Sequence, residues 1–139
     1  MMRWLSNPLI YAVLSALLWA GFSVSGELSG PLDGMSFSGY NGEKGRQLDP
    51  DEQEEIIFRN GLFHSVSCDP YNFGSSVYSA TVEGGAIRFE AVTESPTHGK
   101  ITWQGVVEGP SIKATFVWTK ERWFWDIRKE YWFMGTLKP

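Results

Sequence analysis

The chain has 139 residues, 42% of them hydrophobic and 20% charged, with a formal net charge of -4, a composition that excludes disordered and collagen-like chains. The acidic balance argues against a nucleic-acid partner, which needs a basic stripe. Cys68 is the single cysteine, so an intramolecular disulfide framework is excluded as well.

In residues 1–26 the only charge is Arg3, followed by the apolar run Leu9–Trp19 and the small residues of Ala20–Gly26. A basic start, a short apolar middle and small residues are the features of a secretory signal peptide, with Val24-Ser25-Gly26 as a cleavage site. The apolar run is shorter than the ~20 residues a spanning helix needs. The expected organisation is a signal helix over 1–26 and one domain over 27–139, exported to the periplasm or the extracellular space. An uncleaved segment would instead anchor the chain to a membrane.

Met35–Tyr40 reads as the first strand. The polar stretch 41–55 reads mainly as a loop, in which Asp49-Pro50-Asp51-Glu52 has the makings of one or two helical turns: a capping Asp, Pro at the first helical position and acids at the positive end. A solvated acidic loop is the alternative. Residues 56–59 and 62–67 flank Asn60-Gly61, the strongest short signal for a tight β-hairpin. Cys68 to Gly74 then makes a compact corner.

Strands follow over 76–82, 86–93, 100–107, 111–119 and 130–138. From Ala86 to Thr119 the alternation is strict. Ile87, Phe89 and Ala91 share a face, as do Ile101, Trp103, Gly105 and Val107, and Ile112, Ala114, Phe116 and Trp118, with polar residues between them. In the last strand Tyr131, Phe133, Gly135 and Leu137 form the apolar set. No proline falls inside a strand. About eight short antiparallel strands in meander order close most simply into an up-and-down barrel, an all-β fold without sheet edges; a sandwich is the alternative.

The run Phe58-Arg59-Asn60-Gly61-Leu62-Phe63-His64-Ser65-Val66-Ser67-Cys68, then Tyr71-Asn72-Phe73-Gly74 and Tyr78, form a recognisable pattern. Phe89-Glu90-Ala91, Ser95, Gly99, Trp103-Gln104-Gly105 and Trp118 continue it. Over residues 56–138 the chain resembles a family of small exported bacterial proteins, uncharacterised and of lipocalin-like (calycin) appearance. The resemblance implies the barrel and the exported location, and brings no activity with it. The stretches 42–55 and 121–129 depart from its pattern.

Catalytic chemistry finds little support. Ser65 lacks a base, since alternation puts His64 on the opposite strand face and His98 lies in a remote turn. Cys68, His64, His98 and Asp69 show no metal-ligand spacing, and Glu83, Glu90, Glu94 and Glu108 read as solvated rather than as a glycosidase pair. An enzyme, a metal and a cofactor are therefore not expected. The inward set mixes bulky Phe89, Trp103, Phe116, Trp118 and Tyr131 with small Ala91, Gly105, Ala114 and Gly135, which either leaves room for a small hydrophobic or aromatic ligand or interdigitates as a filled core. Between the last two strands, Trp123-Phe124-Trp125 is flanked by basic residues within 121–129. This loop either grips a ligand, meets a protein or membrane surface, or folds down as a lid.

Overall fold

The computed structural model describes residues 30–139; the expected signal segment over 1–26 lies outside the described residues. Eight antiparallel strands, joined in sequence order, form one closed barrel: β1 (Ser36–Glu43), β2 (Gln53–Arg59), β3 (Leu62–Ser65), β4 (Ser75–Glu83), β5 (Ala86–Ser95), β6 (Gly99–Glu108), β7 (Ser111–Lys120) and β8 (Ile127–Leu137). The barrel closes where β8 pairs with β1, from Phe37 opposite Leu137 to Glu43 opposite Tyr131. With every strand paired on both sides, no edge is left to recruit another chain.

The alternation in the sequence is the in-and-out alternation of the barrel wall. Phe89, Ala91, Ile101, Trp103, Val107, Ile112, Ala114, Phe116 and Phe133 are buried, and Trp118 and Tyr131 are partly buried against them. Phe37, Ile56, Phe58, Phe63 and Tyr78 complete the interior from the first half of the barrel.

The connections sort the two ends. At one end β2–β3, β4–β5 and β6–β7 are joined by two-residue turns. Asn60 and Gly61 there have φ of 55° and 75°, the positive values that a type I′ hairpin turn demands. Leu32 plugs this end, fully buried. The Asp33 carboxylate holds the plug by accepting from the Gly30 and Gly61 N–H groups and from the Tyr78 hydroxyl at 2.8 Å. At the other end lie the longer β1–β2, β3–β4, β5–β6 and β7–β8 connections, and the barrel is open.

Three local expectations are corrected. The 49–52 segment is a turn, not a helix: Asp49 Oδ1 accepts from the Asp51 N–H and its carbonyl from the Glu52 N–H, and β2 starts at Gln53 before a helix can nucleate. The polar stretch 41–55 is therefore partly strand. The third strand ends at Ser65, two residues early, because Val66–Tyr71 winds into a 3-10 helix that carries Cys68 inward. On the lid alternative, the 121–126 loop does not fold down: Trp123, Phe124 and Trp125 are 88%, 71% and 60% exposed and stack only on one another.

Candidate functional site

The middle of the barrel is full. A Cβ placed on Gly105 would lie 2.5 Å from a ring carbon of Phe89 and 2.9 Å from the Ala114 methyl, and one on Gly135 would lie 2.7 Å from the Phe133 ring. The small residues are thus occupied by neighbouring rings, the large-beside-small packing of a solid core. Phe89 belongs to this filled region, where it packs edge-on against Phe58 at a centroid distance of 5.1 Å.

Space remains at the open end, as a cavity of about 300 Å³. Tyr71, Phe73, Phe116, Trp118 and Tyr131 give it aromatic walls, Ile101 adds an aliphatic one, and Asn41, Ser67, Cys68 and His98 supply its polar groups. Part of this wall is a ladder of parallel rings on neighbouring strands: Trp103 on Phe116 with centroids 4.0 Å apart, and Phe116 on Tyr131 at 4.9 Å, with interplanar angles of 22° and 10°. Of the five interior residues singled out for a ligand, Phe116, Trp118 and Tyr131 line this cavity. Trp103 supports Phe116 from the neighbouring strand, and Phe89 lies away from the cavity.

The mouth is braced across its loops. Trp118 Nε1 donates to the His98 carbonyl at 2.6 Å. Ser95 Oγ donates to the Tyr71 carbonyl at 2.7 Å and accepts from the Thr97 and His98 N–H groups, which ties the β5–β6 turn to the 3-10 helix. Walls fixed before binding spare a ligand the cost of ordering them.

One functional candidate escapes a reading of 41–55 as loop. Glu54, only 4% exposed, sits on the inward face of β2 two residues before Ile56 and four before Phe58. Extending that alternation backwards would have found it. Its Oε1 accepts from the Glu55 N–H at 2.9 Å and the Ser67 N–H at 3.0 Å; its Oε2 accepts from Ser65 Oγ at 2.7 Å, Asn41 Nδ2 at 3.3 Å and the Ser67 hydroxyl. Every contact comes from a donor, the arrangement that suits an ionised, acceptor-only carboxylate.

Ser65 is buried with its hydroxyl committed to Glu54, while His64 points outward and bonds Asp69 Oδ1 at 2.6 Å. Burial pushes the Cys68 thiol up; the Ser65 hydroxyl opposes it, the charge of Glu54 adds to it, and Ser67 and Asp69 follow with smaller effects in opposite directions. That leaves a protonated thiol rather than a nucleophile. Burial likewise raises the Tyr131 phenol, with Glu43 adding to it. Among the described residues no group of three or more His, Cys, Asp or Glu side chains is placed to hold a metal ion.

A second, shallower depression lies outside the wall of β4 to β7, lined by Ser79, Arg88, Gln104, Lys113 and Thr115. It is ordinary solvated sheet surface. No protein-family model, curated protein or solved structure matches the chain.

Proposed function

We propose that this chain is a non-enzymatic exported barrel, calycin-like in design, that holds one small apolar or aromatic ligand in its open mouth. The observation that carries the reading is the cavity of about 300 Å³ walled by five aromatic side chains, a volume at the lower end of the ~300–1,000 Å³ of small-molecule sites. The parallel ring ladder in its wall favours a planar guest, because offset stacking continues the same geometry. Export is supported by Arg3 and the apolar run Leu9–Trp19. The burial of Ser65, which leaves its hydroxyl on Glu54 without access to a substrate, and the raised Cys68 thiol support a binding rather than a catalytic role.

The test is native mass spectrometry of the protein purified from its host, with tryptophan fluorescence followed while any bound molecule is extracted. A co-purifying small molecule whose removal changes the fluorescence is the expected result. A protein that is empty and gives no response to a panel of planar aromatic compounds would overturn the reading.

A second reading has its own observation. Trp123, Phe124 and Trp125 stand exposed on the rim, with Lys120, Arg122, Arg128 and Lys129 beside them. With Glu121 and Asp126 also adjacent and Arg128 paired with Glu130, the loop offers amphipathic rings with a small excess of cations, which suits the interface of an anionic membrane. Co-sedimentation with phosphatidylserine-containing vesicles, lost in the double variant Trp123→Ser, Trp125→Ser, is its expected outcome; equal sedimentation of the two proteins would exclude it.

A further inference from the structure

The buried carboxylate gives the mouth a sign. Glu54 is buried in the barrel wall and, among the described residues, no Lys, Arg or His lies within ion-pair distance of it. A buried charge is normally paired, because losing its hydration costs several kcal/mol. Here five hydrogen bonds hold the carboxylate, but hydrogen bonds do not cancel its charge. A net negative charge therefore sits in the wall between the mouth and an outer depression lined by Ser38, Gln53 and Glu55, largely withdrawn from water and screened less than a surface charge.

That charge is one residue away from the cavity. Asn41 and Ser67 both donate to Glu54 and both line the mouth, so the carboxylate takes the Ser67 hydroxyl proton and one of the two Asn41 Nδ2 protons. What Ser67 Oγ and Asn41 Oδ1 retain are acceptor lone pairs. Of the cations on the loops around this end, Lys44 and Arg128 pair with Glu130 at 2.9 and 3.2 Å and Arg46 with Glu43 at 3.6 Å, while Lys120, Arg122 and Lys129 stand on the rim outside the cavity's lining. Among the described residues no Lys or Arg lines the cavity. The walls add to the same field, since the faces of Phe, Tyr and Trp rings carry the negative part of the ring quadrupole and attract cations.

Resting on the reading of the mouth as a ligand site, we propose that it selects an organic cation. The guest is an ammonium or cationic heteroaromatic group whose charge lies among Phe116, Trp118 and Tyr131, on the side of Asn41 and Ser67 with Glu54 behind them. The same device rejects carboxylates and other anions of equal shape, which would face a buried negative charge without a partner.

The test uses the full chain and three soluble compounds that share a phenyl ring and differ in charge: 2-phenylethylammonium, 2-phenylethanol and phenylacetate, titrated by calorimetry at neutral pH. The ammonium compound is expected to bind about tenfold more tightly than the alcohol, the size of a desolvated cation–aromatic contact, and phenylacetate least tightly. Glu54→Gln removes the charge and is expected to bring the ammonium-to-alcohol ratio down towards unity, with circular dichroism as the check on folding. Should that variant not fold, the three compounds on the unaltered chain decide alone. Equal or tighter binding of the alcohol or of phenylacetate would overturn the cation inference and leave the ligand-site reading standing. Failure of all three to bind would overturn the inference together with the aromatic-ligand reading of the mouth.

Discussion

The two ends of this barrel are built from the same residue types and arranged oppositely. At the closed end Phe58 meets Phe37, Phe63, Tyr78 and Phe89 edge-on, with interplanar angles of 67° to 87°. At the open end Trp103, Phe116 and Tyr131 lie nearly parallel. Edge-on rings around Phe58 interlock, and the one near-parallel pair there, Phe63 and Phe89 at 28°, is enclosed by them, whereas the stack at the open end finishes in a free face. The carboxylates differ in the same way. Asp33 lashes Leu32 and Tyr78 into a stopper, while Glu54 organises the mouth's polar groups and leaves space above them. Packing is concentrated at one end and open space, the proposed ligand site, at the other.

The largest effect that can break this division is Phe58→Ala. Phe58 is fully buried and touches four other rings, so its loss should cost about 4 kcal/mol in urea unfolding, a large share of a typical domain's stability. Affinity at the mouth in the folded fraction is expected to stay within about twofold, below 0.5 kcal/mol. A parallel collapse of ligand binding would show that the two ends are one unit. Next is Gly105→Val, at the boundary between them. The new methyls must displace the Phe89 ring or the Ala114 methyl, and the overpacking should cost about 2 kcal/mol, read as a shift in the unfolding midpoint.

A third prediction is read against pH and isolates the stopper. Burial raises the Asp33 carboxyl, but the Gly30 N–H, the Tyr78 hydroxyl and the Gly61 N–H outweigh it and hold the group below its usual 3.8. Tyr78 is pushed up to about 12, first by burial and then by its bond to Asp33. Asp33 therefore contributes stability that is present above the ordinary carboxylate range and lost as pH falls through its lower folded value. Tyr78 contributes stability that is present below 10 and lost as pH rises towards about 12. In Tyr78→Phe the alkaline loss belonging to this tyrosine should vanish, and the acid loss belonging to Asp33 should become smaller and be complete at higher pH. Unchanged limbs in a pH series of chemical unfolding would remove the knot from the account of this end.

Much of the closed end was legible in the sequence and less of the open one, for a definite reason. Alternation reports whether a side chain points in or out, and it placed Phe89, Trp103, Phe116 and Phe133 inside. Height along the barrel axis comes from register, such as Trp103 opposite Phe116 and Ala91, which no single strand reveals. Hence Phe89 and Tyr131 looked equivalent in sequence, although one fills the middle and the other lines the mouth. Tyr71 and Phe73 reach the mouth from a corner with no periodicity to read. Glu54 was hidden by its neighbours, since a run of acids between a proline and a strand reads as solvated loop. The Trp123-Phe124-Trp125 loop carries no inward or outward signal of its own, and only the fold shows it exposed.

The smallest effect sharpens the comparison where it is least expected, in the sign of a stability change. Thr93 is buried on β5 opposite Ile101, whose side chain lines the mouth, and its hydroxyl has no hydrogen-bond partner among the described residues. The closed end instead commits its Asp33 and Tyr78 polar atoms fully. Valine has the same shape as threonine and favours a strand equally, so Thr93→Val deletes an uncompensated polar group without opening a hole. Relief of that desolvation should raise stability by about 1 kcal/mol, which in a domain of this size moves the melting temperature up by roughly 4 °C. Lower stability in the variant would mean that the hydroxyl is satisfied in solution, leaving Trp103 Nε1 as the unpartnered polar atom on this side. A gain in stability with unchanged affinity for 2-phenylethylammonium would place the slack beside the site rather than in it.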